Sequence, residues 1–370
     1  MMLTQDELRR YNRHVILPEF GQHRQELLKT SRVLVIGAGG LGCPILLYLT
    51  NAGIGHITII DADTIDISNL QRQVLYAHED IGKPKAQTAA QKLQALNPFI
   101  TISYITDTLH KGNALDLIAS HDVIIDGSDN FPTRYLVNDA CVIAQKPLVF
   151  GSIFKFEGQV SVFNYKGGPT YRCIYPEPPQ ANEVPSCSEI GVLGILPGII
   201  GVLQATEAIK LITGIGEPLS GRLLLYDALS NQQSIINVTK NESIVVKDLL
   251  DNYDAFCGIE ASTAPLEEEL TPAQAITLLK NNKVQIIDVR EQWEYDICRL
   301  EGSTLIPLKT IPNNSQIIAQ DKPTLLYCHH GIRSRHALEY LKQKGYKQLY
   351  HLKGGIDQWA LVVDQQMERY

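Results

Sequence analysis

Residues Ser31–Ala52 read SRVLVIGAGGLGCPILLYLTNA: a short β-branched run, a cluster of glycines, then apolar residues at helical spacing. The pattern predicts strand, tight turn and helix. Gly37, Gly39 and Gly42 stand in a G-x-G-x-x-G frame across the turn, and the next apolar run, HITIID, ends at Asp61. Glycines let backbone approach a phosphate, the helix that follows offers its N-terminal N–H groups, and an acid ending the second strand accepts ribose hydroxyls. The stretch predicts a Rossmann-like, nucleotide-binding α/β domain.

Outward from it, the runs ITISYI from Ile100, DVIID from Asp122 and PLVFGS from Pro147 alternate with helical spacing at Lys85–Leu96 and Thr133–Ala144. Such alternation predicts a parallel sheet. After Gly151 the pattern changes to GQVSVFN, and Lys166–Glu189 holds five prolines and is expected to be loop. Leu196–Ile212 reads as a buried helix, and GRLLLYDA with QSIINV as a hairpin or strand pair. Cys257–Leu270, CGIEASTAPLEEEL, is small, acidic and proline-containing, which is linker composition. Beyond it the alternation restarts: TPAQAITLLK as helix, VQIIDVR as strand, TLLYCHHG as strand entering a loop, SRHALEYLKQKG as helix and QLYHLKGG as a last strand. The reading is two α/β domains, 1–257 and 270–370, joined by a linker over 258–269.

Composition narrows the function. With 33 Lys and Arg against 40 Asp and Glu, the net charge of −7 argues against a bulk grip on nucleic acid or on an anionic membrane. The longest apolar run, Ile190–Leu203, is broken by Pro197 and four glycines and falls short of the ~20 residues that span a bilayer. The opening residues, MMLTQDELRRYNRH, carry charge where an export signal is apolar, so a reducing cytoplasm is expected and the seven cysteines need not pair.

The glycine frame alone makes a nicotinamide or flavin dehydrogenase the default. Further residues shift the balance. IDISNLQRQ places Asn69 and Arg72 after the second strand, IGKPKAQ brings Lys83 and Lys85 to a helix start, and DGSDN sets Asp126, Asp129 and Asn130 at the end of the fourth strand. Splitting ATP needs cations for the triphosphate and a carboxylate for Mg²⁺, whereas a dinucleotide needs little beyond its loop. No Walker A motif competes, because the only Gly-Lys pair, Gly82-Lys83, is followed by proline.

GAGGLG, IDADTIDISNLQRQ, IGKPKA and DGSDN, with RYNRH near the start and PSCSEIGVLGILPGIIG later, resemble the MoeB/ThiF branch of the ubiquitin-activating-enzyme superfamily over about Leu8–Ala228. The resemblance implies adenylation of the C-terminal glycine of a small ubiquitin-like sulfur carrier with ATP and Mg²⁺. It implies nucleotide contacts at Gly40 and Asp61, phosphate contacts at Asn69, Arg72 and Lys85, and magnesium at Asp129; Gly37, Gly39 and Gly42 of the glycine frame and Asn130 complete the candidate nucleotide site. Arg13 would reach the other subunit's ATP in a homodimer; His14 replaces a glutamine frequent in the family, a minor departure. Cys187, in PSCSE, would capture the activated carrier or resolve an acyl disulfide, against the plainer reading of an idle loop thiol. The family's structural zinc, held by two Cys-x-x-Cys pairs, is not expected: the pairs read Thr170-Tyr171-Arg172-Cys173 and Asp254-Ala255-Phe256-Cys257. Packing is expected to replace it.

In the rear domain Cys328 ends an apolar strand and opens the loop Cys328-His329-His330-Gly331-Ile332-Arg333, with a helix expected from Ser334. Loop N–H groups, a helix N-terminus and Arg333 there favour an anionic sulfur. Adjacent histidines are expected to point apart, so His329 and His330 are not read as a metal pair. IIDVREQWEYDICRLEGS and GGIDQW, with this loop, resemble a rhodanese domain over roughly Leu270–Trp359, which implies a persulfide on Cys328 and makes Arg333 a loop partner. The loop is one residue shorter than the Cys-x₅-Arg cradle of phosphatases of the same architecture, which suits sulfur. Together the domains imply a carrier thiocarboxylate, for molybdopterin, thiamine or another thiolated product, with sulfur from thiosulfate or from a persulfide donor such as a cysteine desulfurase. Gly258–Leu270 would reach at most about 45 Å at ~3.4 Å per residue. The other readings are a dinucleotide-dependent oxidoreductase and a scaffold that binds a ubiquitin-like partner without activating it; a magnesium ligand is of no use to a scaffold.

Overall fold

A computed structural model describes residues 2–179, 191–258, 268–281, 283–320 and 322–370. The chain divides into two compact units, Met1–Glu260 and Ala261–Tyr370. In the first, β1 (Arg32–Ile36), β2 (His56–Ile60), β3 (Thr101–Ile105), β4 (Val123–Asp126), β5 (Leu148–Phe154), β6 (Glu157–Phe163), β7 (Arg222–Asp227) and β8 (Gln232–Asn237) form one sheet in the order β3-β2-β1-β4-β5-β6-β7-β8. β1 to β5 pair in parallel, as the alternation predicts. β6, β7 and β8 extend the sheet antiparallel through two hairpins.

After Arg32, β1 is apolar throughout because both faces are covered. Val33 and Val35 pack with Leu46, Leu49 and Ile200 on one side, while Leu34 and Ile36 pack with Tyr135, Leu136 and Phe150 on the other. The strand order reverses at β1, between β2 and β4, which opens a crevice at the strands' carboxyl ends. The helix Leu196–Thr213 has the length and composition of a membrane span. It lies in the core instead: a Cβ on Gly201 would meet Leu41 O at 2.6 Å, and its buried Gln204 donates to Asp126 O at 2.7 Å.

The second unit is a parallel sheet of β9 (Glu269–Leu270), β10 (Gln285–Asp288), β11 (Thr304–Leu305), β12 (Thr324–Tyr327) and β13 (Leu349–Leu352), in the order β11-β10-β12-β13-β9. β9 pairs with β13 through Glu269 and His351, so the last residue of the stretch read as linker belongs to this sheet. The helix after Cys328 spans Ile332–Gln343, starting two residues before the expected Ser334, because Gly331 at φ +95° turns the chain into it.

Around Cys173 and Cys257 the first unit is tied by a buried ion pair. Arg172 donates from Nε and Nη2 to the two oxygens of Asp139, each at 2.7 Å, and Tyr253 donates to the same carboxylate at 2.8 Å. The guanidinium lies 4.9 Å from the ring centres of both Tyr135 and Phe256. This clamp joins the start of the proline-rich stretch to the helix Tyr253–Phe256. Arg172→Ala leaves Asp139 buried and unpaired, so a loss of about 3–5 kcal/mol is expected in denaturant unfolding of the first unit. Arg172→Met combined with Asp139→Asn should recover part of that loss, since neither partner is then charged.

Candidate active sites

The glycine turn is closed by contacts that no side chain would allow. A Cβ on Gly42 would meet Gly37 O at 2.1 Å, and one on Gly37, at φ +91°, would meet Gly127 O at 2.8 Å. The turn therefore sits directly against the loop after β4. Asp61 accepts from Ala38 N–H at 2.7 Å and from Asp63 N–H at 2.8 Å, bridging the turn to the chain after β2. Burial pushes its carboxyl pKa up against the pull of those bonds. Lys85, its side chain only 7% exposed, pairs with Asp63 at 2.8 Å. Arg72 comes to the turn as well, its Cδ 3.7 Å from the position of a Cβ on Gly40.

Asn69 serves a capping box with Asp66, and its carbonyl accepts from the N–H groups of Arg72 and Gln73, so it shapes the segment that carries Arg72. Asn130 caps the helix Phe131–Ile143, accepting from Thr133 N–H at 2.9 Å. Asp129 is exposed and has no hydrogen bond or ion pair among the described residues. Arg13 is also exposed, on the short helix Asn12–Val15. Its neighbour Tyr11 packs on Gly53, beyond the far end of the helix Gly42–Ala52, so Arg13 is set apart from its own chain's glycine turn. Cys187 lies outside the described residues.

Of the floor of this site, sequence reasoning placed Asp126 at the strand end but missed the residues around it. Tyr76 donates to Ala38 O at 2.8 Å and pins the turn. Asp126 is buried, its carboxyl raised by that burial, and keeps Oδ2 without a hydrogen-bond partner among the described residues, as do Gln73 Oε1, Arg134 Nε and Gln204 Oε1. A crevice with unsatisfied buried polar atoms, a glycine-lined turn, two cations and an exposed carboxylate fits a polyphosphate nucleotide with a divalent ion. Two thiols with the Arg172 cation close enough to act on Cys257 do not fit a structural zinc. Cys173 Sγ instead accepts from the N–H groups of Thr170 and Asn241, each at 3.4 Å.

In the second unit Cys328 is buried, and Gly331 N–H donates to its Sγ at 3.1 Å. The segment Gly354-Gly355-Ile356-Asp357 locks the loop from behind: Ile356 N–H donates to Cys328 O at 2.9 Å and Asp357 N–H to His329 O at 3.1 Å. A Cβ on Gly355 would meet His329 O at 2.1 Å. Arg333 lies in the first helical turn and forms a bidentate pair with Glu294, both bonds 2.7 Å. The His329 and His330 rings do not point apart; their centres are 3.9 Å away from each other, because His329 is drawn onto Tyr370 and His330 leans against it. No group of metal-binding side chains occurs among the described residues.

Burial raises the Glu294 carboxyl, but the Arg333 bonds, the Glu291 N–H and Tyr370 overcome it and hold the pKa down at about 2. A depressed carboxylate stabilises above its unfolded pKa and loses that contribution as pH falls through the folded one. Unfolding followed against pH is expected to show the second unit losing stability between about pH 4.5 and 2. Glu294→Gln should lie below the native protein above pH 4.5 and converge with it toward pH 2.

A parallel-dominated sheet with a glycine turn at its reversal point, followed by a smaller α/β unit with a cysteine on a glycine-ended loop, defines a two-unit protein of Rossmann-like and rhodanese-like folds. The chain belongs to the ThiF family, whose model matches residues 11–246, and carries a rhodanese-like domain matched over 271–361. It is 46% identical to the probable adenylyltransferase/sulfurtransferase MoeZ of Mycobacterium tuberculosis, over 100% of this chain and 96% of that one. It is 49% identical to the sulfur carrier protein adenylyltransferase of Thermus thermophilus, over 70% of this chain and 100% of the relative. The adenylyltransferase and sulfurtransferase MOCS3 of Sus scrofa is 38% identical over 100% of this chain and 89% of its own length. The crystal structure of E. coli MccB with ATP shares the fold, with a TM-score of 0.54 and 23% identity over 60% of this chain and 69% of that one.

Proposed function

We propose that this chain adenylates the C-terminal glycine of a small ubiquitin-like sulfur carrier and then converts it to a thiocarboxylate with sulfur held on Cys328. Relatives named for both activities align along its whole length. The observation that carries the first step is the meeting of Arg72 with the Gly40 backbone, beside Asp61 and the buried Lys85. Carboxylate attack on an α-phosphorus brings an anion to a polyanion, so the site has to neutralise charge and align the groups. Arg72 and Lys85 hold phosphates, the glycine turn admits them, and Asp129 would hold Mg²⁺, which would supply further charge neutralisation. Pyrophosphate leaves and the carrier becomes an acyl-adenylate.

In the second step a Cys328 persulfide, charged by thiosulfate with release of sulfite, attacks the acyl carbon and AMP leaves. The resulting acyl disulfide is cleaved by a thiol, which frees the thiocarboxylate and is left in a disulfide with Cys328. Gly331 N–H and the start of the helix Ile332–Gln343 favour the anionic sulfur this needs. The chain works as a homodimer in a reducing cytoplasm and without structural zinc. Incubation with a Gly-Gly-ended carrier, ATP, Mg²⁺, thiosulfate and a reducing thiol is expected to replace one carrier oxygen by sulfur in intact mass. An unchanged carrier mass, with thermal protection by NAD(P)H rather than by ATP, would overturn the proposal in favour of an oxidoreductase.

A further inference from the structure

The sulfur loop is held from a direction that the adenylation and persulfide chemistry leaves unexplained. Tyr370 lays its ring on His329, the residue after Cys328, with centres 4.3 Å apart and planes 13° from parallel. Its hydroxyl donates to Glu294 Oε1 at 2.8 Å and accepts from Arg290 Nη1 at 2.6 Å. A phenol has one proton to give and lone pairs to receive, so both bonds form at once. Glu294 in turn fixes Arg333, and buried Arg290 is anchored on Asp288 and on Cys298 O. The segment bearing Tyr370 is itself tied down: Arg369 donates to Asp357 at 2.8 Å, and Met367 packs against the core.

We infer that Tyr370 is a positioning residue for sulfur transfer, its ring setting His329 and its hydroxyl, through Glu294, setting Arg333 at the end of the loop that Cys328 opens. The inference rests on the reading of Cys328 as the sulfur-bearing residue. Without the hydroxyl, the Glu294 carboxylate keeps only the Glu291 N–H at 2.9 Å to hold its plane behind Arg333. A guanidinium free to swing is a poorer partner for an anionic donor. The ring has a separate effect, because it shields the His329 imidazole. Burial, and then His330, hold that imidazole down at about 4, with Arg290 acting the same way and Asp357 and Glu294 opposing.

The test is steady-state sulfur transfer from thiosulfate to cyanide by the full-length chain, with Tyr370→Phe, Tyr370→Leu and Cys328→Ala. Tyr370→Phe, which keeps the ring, is expected to raise KM for thiosulfate about tenfold with a smaller change in kcat. Tyr370→Leu should do the same and also move the His329 titration, followed by NMR, up toward the ordinary imidazole range, where Tyr370→Phe leaves it low. A role in folding alone would lower the melting transition and the active fraction without this split. Native KM in both variants, beside an inactive Cys328→Ala, overturns the inference and leaves the Cys328 reading standing; transfer that survives Cys328→Ala overturns that reading first. If Tyr370→Leu does not fold, Tyr370→Phe carries the decision.

Discussion

Cys328→Ala is expected to abolish sulfur transfer from thiosulfate, by a thousandfold or more (~10³), while carrier-dependent ATP–pyrophosphate exchange continues. The reason lies in the division of labour. On the proposed reading, exchange uses the nucleotide crevice between β1 and β4, and the persulfide uses one sulfur at the end of β12. Alanine removes that sulfur from a buried site where its only N–H donor among the described residues is Gly331, so the loop loses one bond and keeps the two from Ile356 and Asp357. The fold of the loop is therefore expected to survive, and the loss to be chemical. Exchange assayed beside sulfur transfer on one preparation checks it: residual transfer near the native rate would move the sulfur elsewhere, and loss of both activities would point to a folding defect.

The sequence carried these sites unevenly, and the reason is range. The glycine turn, Asp61 and the helix Lys85–Leu96 are written in contiguous residues, where strand and helix periods and turn chemistry act locally, and the structure places them as read. The helix Phe131–Ile143 starts ahead of the expected Thr133 because Asn130 caps it and Pro132 fits its first turn. The strands β9 and β11 have two residues each, too few for a period to register. What sequence could not offer were pairings across distance: Arg172 meets Asp139 at a separation of 33 residues, Tyr253 meets Asp139 at 114, and Tyr370 meets Glu294 at 76. Each such residue alone reads as a surface charge or a stray aromatic. The antiparallel β6 to β8 were visible as strands, β7 and β8 as a pair, but their joining to the parallel strands in one sheet is a tertiary outcome.

Asp129→Asn is expected to lower ATP–pyrophosphate exchange by about a hundredfold or more, since it removes the charge proposed to hold Mg²⁺ with little change in shape. Asp129 has no hydrogen bond or ion pair among the described residues, so the substitution leaves no buried group unpaired and the native melting transition should be retained. Combining it with Arg13→Ala tests where the second subunit enters. The helix Gly42–Ala52 begins at the glycine turn and, at 1.5 Å per residue, carries the chain roughly 16 Å to the end where Tyr11 packs on Gly53. Arg13 follows Tyr11 by two residues, and Tyr11 packs at the end of that helix opposite the turn, which favours a site on a neighbouring subunit over its own. If Arg13 acts in trans, a mixed dimer of Arg13→Ala and Asp129→Asn subunits has one intact site and one doubly deficient site. Equal mixing with random exchange then restores about a quarter of native exchange activity. If Arg13 acts within its own chain, every site in the mixed dimer lacks one group or the other, and no recovery in demonstrably mixed dimers would sink the reading in trans.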